Sequence, residues 1–300
     1  MTLPDFDLGD ALSRWLDSLA GILANPSSPF WWPTLLVSAL VGAGVAFLAG
    51  VRPRALVVAL LPPDRGATLR QLPVDLACFL AGSILPFLFG PLLLLLLWTG
   101  ATGAALLLSP FAGLPMGEPL TGTGWLAAAA LAAFLCGDFM LYWTHRLFHA
   151  DPFLWRAHRL HHEPPVLTPL TAFRFWPQEQ IVHLGANNLG QGFGLGVVAA
   201  LAGAPVTPLQ LLGVNVVLLA WGLAFAHLRH SHLPLPYPRW LCFVLISPQM
   251  HQAHHSSDVA HHDRNFGTTF ALWDWMFGTL YLPRPQERFR FGLEPQGPAA

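Results

Sequence analysis

The sequence predicts an all-α protein that crosses a membrane several times and carries a histidine-rich helical cap on the cytoplasmic side. Three observations predict it. Hydrophobic residues are 54% of the 300 residues and charged residues only 10%, where a soluble domain carries about 25% charged residues. Long apolar runs recur through the first half, near the length needed to cross a hydrocarbon core of about 30 Å. All fourteen histidines fall between His145 and His262. So few charges cannot cover a water-soluble globule of this size, and so much apolar mass excludes disorder. A net charge of −1 leaves no basic footprint for nucleic acid.

The elements follow in order. Residues 8–24 have helical periodicity with Asp10, Arg14 and Asp17 on one side, which predicts a short interfacial helix. The aspartates at 5, 7 and 10 stand where a signal peptide would be basic, so no cleavable signal is expected. Apolar runs at about 32–50, 76–98 and 125–144 predict three spans, with Pro86 and Pro91 as kinks in the second. The 51–75 loop holds four arginines and the 99–124 loop none. That bias places 51–75 in the cytoplasm and the N-terminus outside, and the third run then ends inside. Residues at about 185–226 read as a membrane hairpin, its first arm weakened by Asn187, Asn188 and Gln191. From residue 227 on, the chain reads as cytoplasmic cap. The domain reading is 1–136 for the interfacial helix and spans, 137–281 for the chemistry including the hairpin, and 282–300 for a tail.

Three cysteines, far apart and without a CxxC pair, argue against a disulfide framework or a thiolate zinc site. Imidazole is the available chemistry. His145 and His149 are an i, i+4 pair, and two HxxHH clusters, His158-His161-His162 and His251-His254-His255, each put three imidazoles on about one helical turn. Eight imidazoles exceed one tetrahedral zinc, and two metals with about four nitrogens each is the natural count. Ligand type leaves zinc, copper, iron and nickel open, and HExxH is absent. His230 is a candidate ninth ligand. His227 and His232 are set against the ligand role, His261 and His262 beside aspartates read as a solvated face, and His183 as a local hydrogen-bonding residue. Asp138, an acid in the third apolar run and two turns before His145, is a candidate acceptor for a ligand imidazole N–H.

The segments GDFMLYWTHRLFH (137–149), LWRAHRLHHE (154–163), TAFRFWPQE (171–179), HSHLPLP (230–236), SPQMHQAHHSSD (247–258) and RNFGTTFALWDWMFGTLY (264–281) resemble the fatty acid hydroxylase/sterol desaturase superfamily of membrane-bound non-haem di-iron enzymes. Within it the chain looks most like bacterial sterol desaturase family proteins. The resemblance implies two iron ions, O2 as co-substrate, and hydroxylation or desaturation of a lipid taken from the bilayer. It implies ligand roles for His145, His149, His158, His161, His162, His251, His254 and His255, and His230 matches the additional histidine before the last box. His232 departs from the Asn that relatives often carry there. A separate electron-transfer protein is implied, since no fused donor domain follows. The implied location is an integral membrane protein of the bacterial inner membrane with its site facing the cytoplasm.

Apolar residues near the boxes, Phe148, Phe173, Trp176 and Phe225, are candidates to line a lipid path or simply to pack, and Arg174 is a candidate to bind a head group or an acid, or equally to satisfy the positive-inside bias. The rival reading is a His-rich membrane metal-binding or metal-transport protein. It would need ionisable residues in several spans, whereas Asp138 is the only acid in the first three runs.

Overall fold

A computed structural model describes residues 7–24, 28, 30–48, 62–114, 118, 121–205, 227–233, 235–284 and 287–293. The described residues form helices joined by turns, with no β-strand among them beyond two isolated bridges. The helices are α1 (Leu8–Ala20), α2 (Trp32–Leu48), α3 (Arg65–Ser83), α4 (Leu85–Ala112), α5 (Thr123–Ala150), α6 (Pro152–His162), α7 (Pro177–Ala202), α8 (Pro248–His254) and α9 (Leu272–Met276). The chain divides into two compact units. One comprises Met1–Ala20, Ile84–Thr144 and Ile181–Trp221; the other comprises Gly21–Ser83, His145–Gln180 and Gly222–Ala300.

In the first unit α4 and α5 are long and apolar enough to cross a membrane. Their packing against α7 relies on glycine. A β-carbon at Gly192 or Gly196 would collide with the Leu97 or Ala101 carbonyl of α4, and one at Gly190 or Gly194 with the Cys136 or Ala132 carbonyl of α5. Small residues allow such close backbone approach where lipid supplies no hydrophobic drive between helices. Ala129, Ala130 and Ala133 of α5 close on Leu195 and Val198 of α7 in the same way.

Several expected boundaries move. The 76–98 run is not one span: it breaks at Ile84, and Pro86 stands in the first turn of α4 rather than kinking a longer helix. The reason is that proline has no N–H to lose at a helix start. The chain from Arg65 is already helical, so the arginine-rich loop is shorter than 51–75. α4 runs on to Ala112, where Gly113 at φ 76° ends it, so the next loop is shorter than 99–124. α5 continues past residue 144 and carries His145 and His149 within its last turns. α7 starts at Pro177, earlier than 185. The second arm of the hairpin, with Phe225, lies outside the described residues, as does the side chain of His227.

The second unit holds every histidine but His183. Arg174 is buried and bonds Asp75 of α3 at 3.0 Å and Glu163 at 3.5 Å. It is therefore committed inside the protein and corrects the head-group expectation. Leaving either buried charge alone would cost about 3–5 kcal/mol. Gln71 of α3 bonds the Val166 carbonyl at 2.9 Å, and Phe30, Phe79 and Phe173 form an aromatic cluster. Phe173 is thus a packing residue. Around α8 the core is Tyr237, Cys242, Ile246, Met250 and Ala271.

Candidate metal centre

Two short helices are started by the same device. Asp151 caps α6, accepting from the N–H of Phe153 and Leu154, with Pro152 in the first turn. Ser247 caps α8, accepting from the N–H of Met250, with Pro248 in the first turn. Each cap sets where the helix begins and hence which way its HxxHH triplet faces. His158, His161 and His162 end α6; His251 and His254 end α8, with His255 closing it.

Nine imidazoles gather in two groups. His145, His149, His158, His162 and His254 form one, and His161, His230, His251 and His255 the other. Within each group, one ring nitrogen per residue lies within 4.8 Å of all the rest. These are the eight box histidines and His230. His232 is half-buried and belongs to neither group, and His183 is half-buried on α7.

Four imidazoles have their tautomer decided by what meets Nδ1. His145 Nδ1–H donates to the Phe266 carbonyl at 2.8 Å and His254 Nδ1–H to the Arg264 carbonyl at 2.8 Å. His158 Nδ1–H donates to Glu179 Oε1 at 2.5 Å, between two fully buried side chains. The Thr171 hydroxyl already gives its proton to the Thr168 carbonyl at 2.7 Å. It must therefore accept from His230 Nδ1–H, 3.2 Å away. In each neutral ring Nε2 then carries no proton and presents its lone pair.

Burial works against the charged form of the rings. It holds His161, His162, His230, His251 and His255 well below the ordinary imidazole range, and neighbouring imidazoles or Arg229 push the same way. His254 is pushed down to about 3 by burial, against the pull of its bond to the Arg264 carbonyl. A neutral imidazole is the form that binds a metal. His149 Nε2 and His254 Nε2 are buried and find no hydrogen-bond partner among the described residues. In the other group His251 Nε2 stands 2.7 Å from His230 Nε2 and 3.2 Å from His255 Nε2. Buried ring nitrogens converging this closely in each group make a donor set that fits a cation. The donor set is all imidazole, which suits iron, zinc, copper or nickel.

A cavity of about 320 Å³ reaches four of these imidazoles, His149, His162, His254 and His255, and is walled in part by the exposed His262 and Asp263. His261 is a correction: it is buried, with Nδ1 2.9 Å from the Ser256 hydroxyl and Nε2 3.4 Å from Glu287. The segment after residue 286 folds back over it, which an exposed reading from Asp258 and Asp263 does not anticipate. Phe148 is buried with its ring against His158, and Trp176 is exposed. Asp138 is buried on α5; His145, the ligand candidate nearest it in sequence, gives its Nδ1–H to Phe266. Sequence reasoning missed the acceptors themselves. Glu179 and Thr171 lie in the TAFRFWPQE segment, where a carboxylate beside an apolar helix start was the available signal.

Residues 130–279 match the sequence family described as fatty acid hydroxylase. The ornithine lipid hydroxylase OlsE of Rhizobium tropici is 28% identical over 162 residues, 53% of this chain and 43% of that protein. The chain therefore matches less than half the length of that relative. No solved structure matches the chain.

Proposed function

This chain belongs to the fatty acid hydroxylase family, and on that premise we propose that it is a membrane-bound, non-haem di-iron enzyme. In this reading it uses O2 and electrons from a separate protein to oxidise a lipid of the bilayer. The supporting observation is the pair of convergent imidazole groups, five and four strong. One ion per group is the proposed stoichiometry, with His145, His149, His158, His162 and His254 on one and His161, His230, His251 and His255 on the other.

Iron supplies the O2 activation that attack on an unactivated C–H bond requires and that acid–base side chains cannot provide. The protein's own part is to hold lone pairs in place. Glu179, Thr171 and the carbonyls of Arg264 and Phe266 pin four rings through Nδ1, so little reorganisation remains when an ion enters. Burial disfavours the protonated rings, so protons compete less for Nε2. The cavity is lined at its mouth by the exposed His262 and Asp263, which suits water or a polar head group better than an acyl chain. Asp138 stays a proposed partner of the site. Hydroxylation is the preferred outcome over desaturation, in line with the name of the matched relative. The cytoplasmic orientation of the site, in a bacterial inner membrane, rests on the arginine bias. An impermeant maleimide that labels His262→Cys in right-side-out vesicles would overturn it.

The test is lipid mass spectrometry of cells with and without the chain, grown under 18O2. The expected result is one lipid class gaining a single labelled oxygen, or losing two hydrogens if desaturation occurs. Iron bound by the purified protein with no change in any lipid would favour the metal-binding or transport reading instead.

A further inference from the structure

We propose that Asp274 is a positioning residue for one of the two imidazole groups and not for the other. The proposal rests on the di-iron reading above. Asp274 lies on α9, past the last of the box histidines, and is fully buried. Its carboxylate accepts from the Phe266 N–H at 2.8 Å, the Gly267 N–H at 2.8 Å and the Thr279 hydroxyl at 2.6 Å. A carboxylate taking backbone N–H groups clamps the chain that carries them.

The clamped chain is tightly specified. Asn265 sits in the left-handed region at φ 56°, held there because its side chain bonds the Met250 and Tyr281 carbonyls and accepts from the Tyr281 N–H. A β-carbon at position 267 would stand 2.5 Å from the Phe270 carbonyl oxygen and 2.8 Å from Asp274 Oδ2. Only glycine lets its N–H approach the carboxylate there.

Two carbonyls leave this loop toward the histidines. The Arg264 carbonyl takes His254 Nδ1–H and the Phe266 carbonyl takes His145 Nδ1–H. A carbonyl can only accept, so both rings must carry their proton on Nδ1 and turn a lone pair inward from Nε2. Both rings belong to the five-imidazole group. In the four-imidazole group the acceptor that sets His230 is Thr171, on a different segment. Loosening the loop should therefore weaken one ion and spare its neighbour. The structure thus gives the RNFG and WDW segments a shared purpose: the second holds the first so that its carbonyls fix two ligands.

The experiment is titration of the detergent-solubilised, metal-free full chain with Co2+, read by its visible spectrum. His149→Ala and His161→Ala identify which binding step belongs to which group. Asp274→Asn keeps the side-chain shape but sets an NH2 against one of the three donors. The expected result is loss of affinity by about 10–100-fold in the step assigned to the His149 group, the range seen when outer partners of ligands are removed. The His161 step should be unchanged. Thr279→Val removes a single hydrogen bond to the carboxylate, and a smaller loss confined to the same step is expected. If Asp274→Asn fails to fold, Thr279→Val decides alone. Equal weakening of both steps, or no change in either, would overturn the proposal by reducing Asp274 to a general structural role. A wild-type chain that binds no Co2+ would instead remove the di-metal reading on which it rests.

Discussion

At the scale of single residues, a histidine's neighbours on its own helix say less than what meets its two ring nitrogens. His255 and His262 show this. They stand in one His-rich stretch, yet His255 is buried within the group of His161, His230 and His251, while His262 is exposed on the cavity wall. His255→Ala removes a ligand from a site of fixed geometry, so bound iron should fall by about one ion per chain and oxidation should be lost. His262→Ala should leave iron content at the wild-type level and lower activity modestly. Metal analysis of both purified variants checks this, and equal losses in the two would overturn the assignment of the third box. The i, i+3 and i, i+4 spacings were legible because helical geometry alone brings such residues to one face. The partners of Nδ1 were not legible. Two are backbone carbonyls, to which any residue type contributes equally, and they are delivered by a loop more than a hundred positions from His145. His261 misled for the converse reason: flanking aspartates suggested water, and the burial comes from Glu287 and Phe289, later in the chain.

At the scale of elements, hydropathy located the apolar runs but not their ends. Ends are set by caps and prolines. Pro86 begins α4, where the sequence predicts a kink, and Asp151-Pro152 and Ser247-Pro248 begin α6 and α8. α7 carries its message in glycine, which a hydropathy window averages away. The glycines at 190, 192, 194 and 196 sit where a neighbouring backbone leaves no room for a side chain. Gly192→Ala should push α4 from α7 and destabilise the first unit by about 1–3 kcal/mol or more, the cost of overpacking a close contact. Gly103→Ala, on α4 with open space around the new methyl, should be neutral or slightly stabilising through better helix propensity. Thermal unfolding of the two variants in one detergent checks the contrast, and an unperturbed Gly192→Ala would mean that α4 and α7 do not pack this closely.

At the scale of the molecule, the histidine groups tie together segments that contribute little to one another in sequence. The imidazoles come from the end of α5, from α6, from the turn at His230 and from α8. Without an ion, these segments bury nitrogens such as His149 Nε2 and His254 Nε2 with no hydrogen-bond partner among the described residues, a cost the rest of the fold must carry. An ion that binds only the folded chain adds stability by mass action, about 2.7 kcal/mol per site at a free concentration a hundredfold above its dissociation constant. For a chain of 300 residues each kcal/mol moves the unfolding midpoint by about 1–2 °C, so stripping both ions should lower it by roughly 5–10 °C. The measurement is unfolding of the full chain before chelation, after it, and after Fe2+ is returned. Recovery on return separates metal loss from detergent damage. A His161→Ala chain should lose only part of the shift, because the group of five imidazoles still holds its ion. An unchanged midpoint in the stripped protein would mean that the nine imidazoles are satisfied without a metal, and the proposed centre would fall with it.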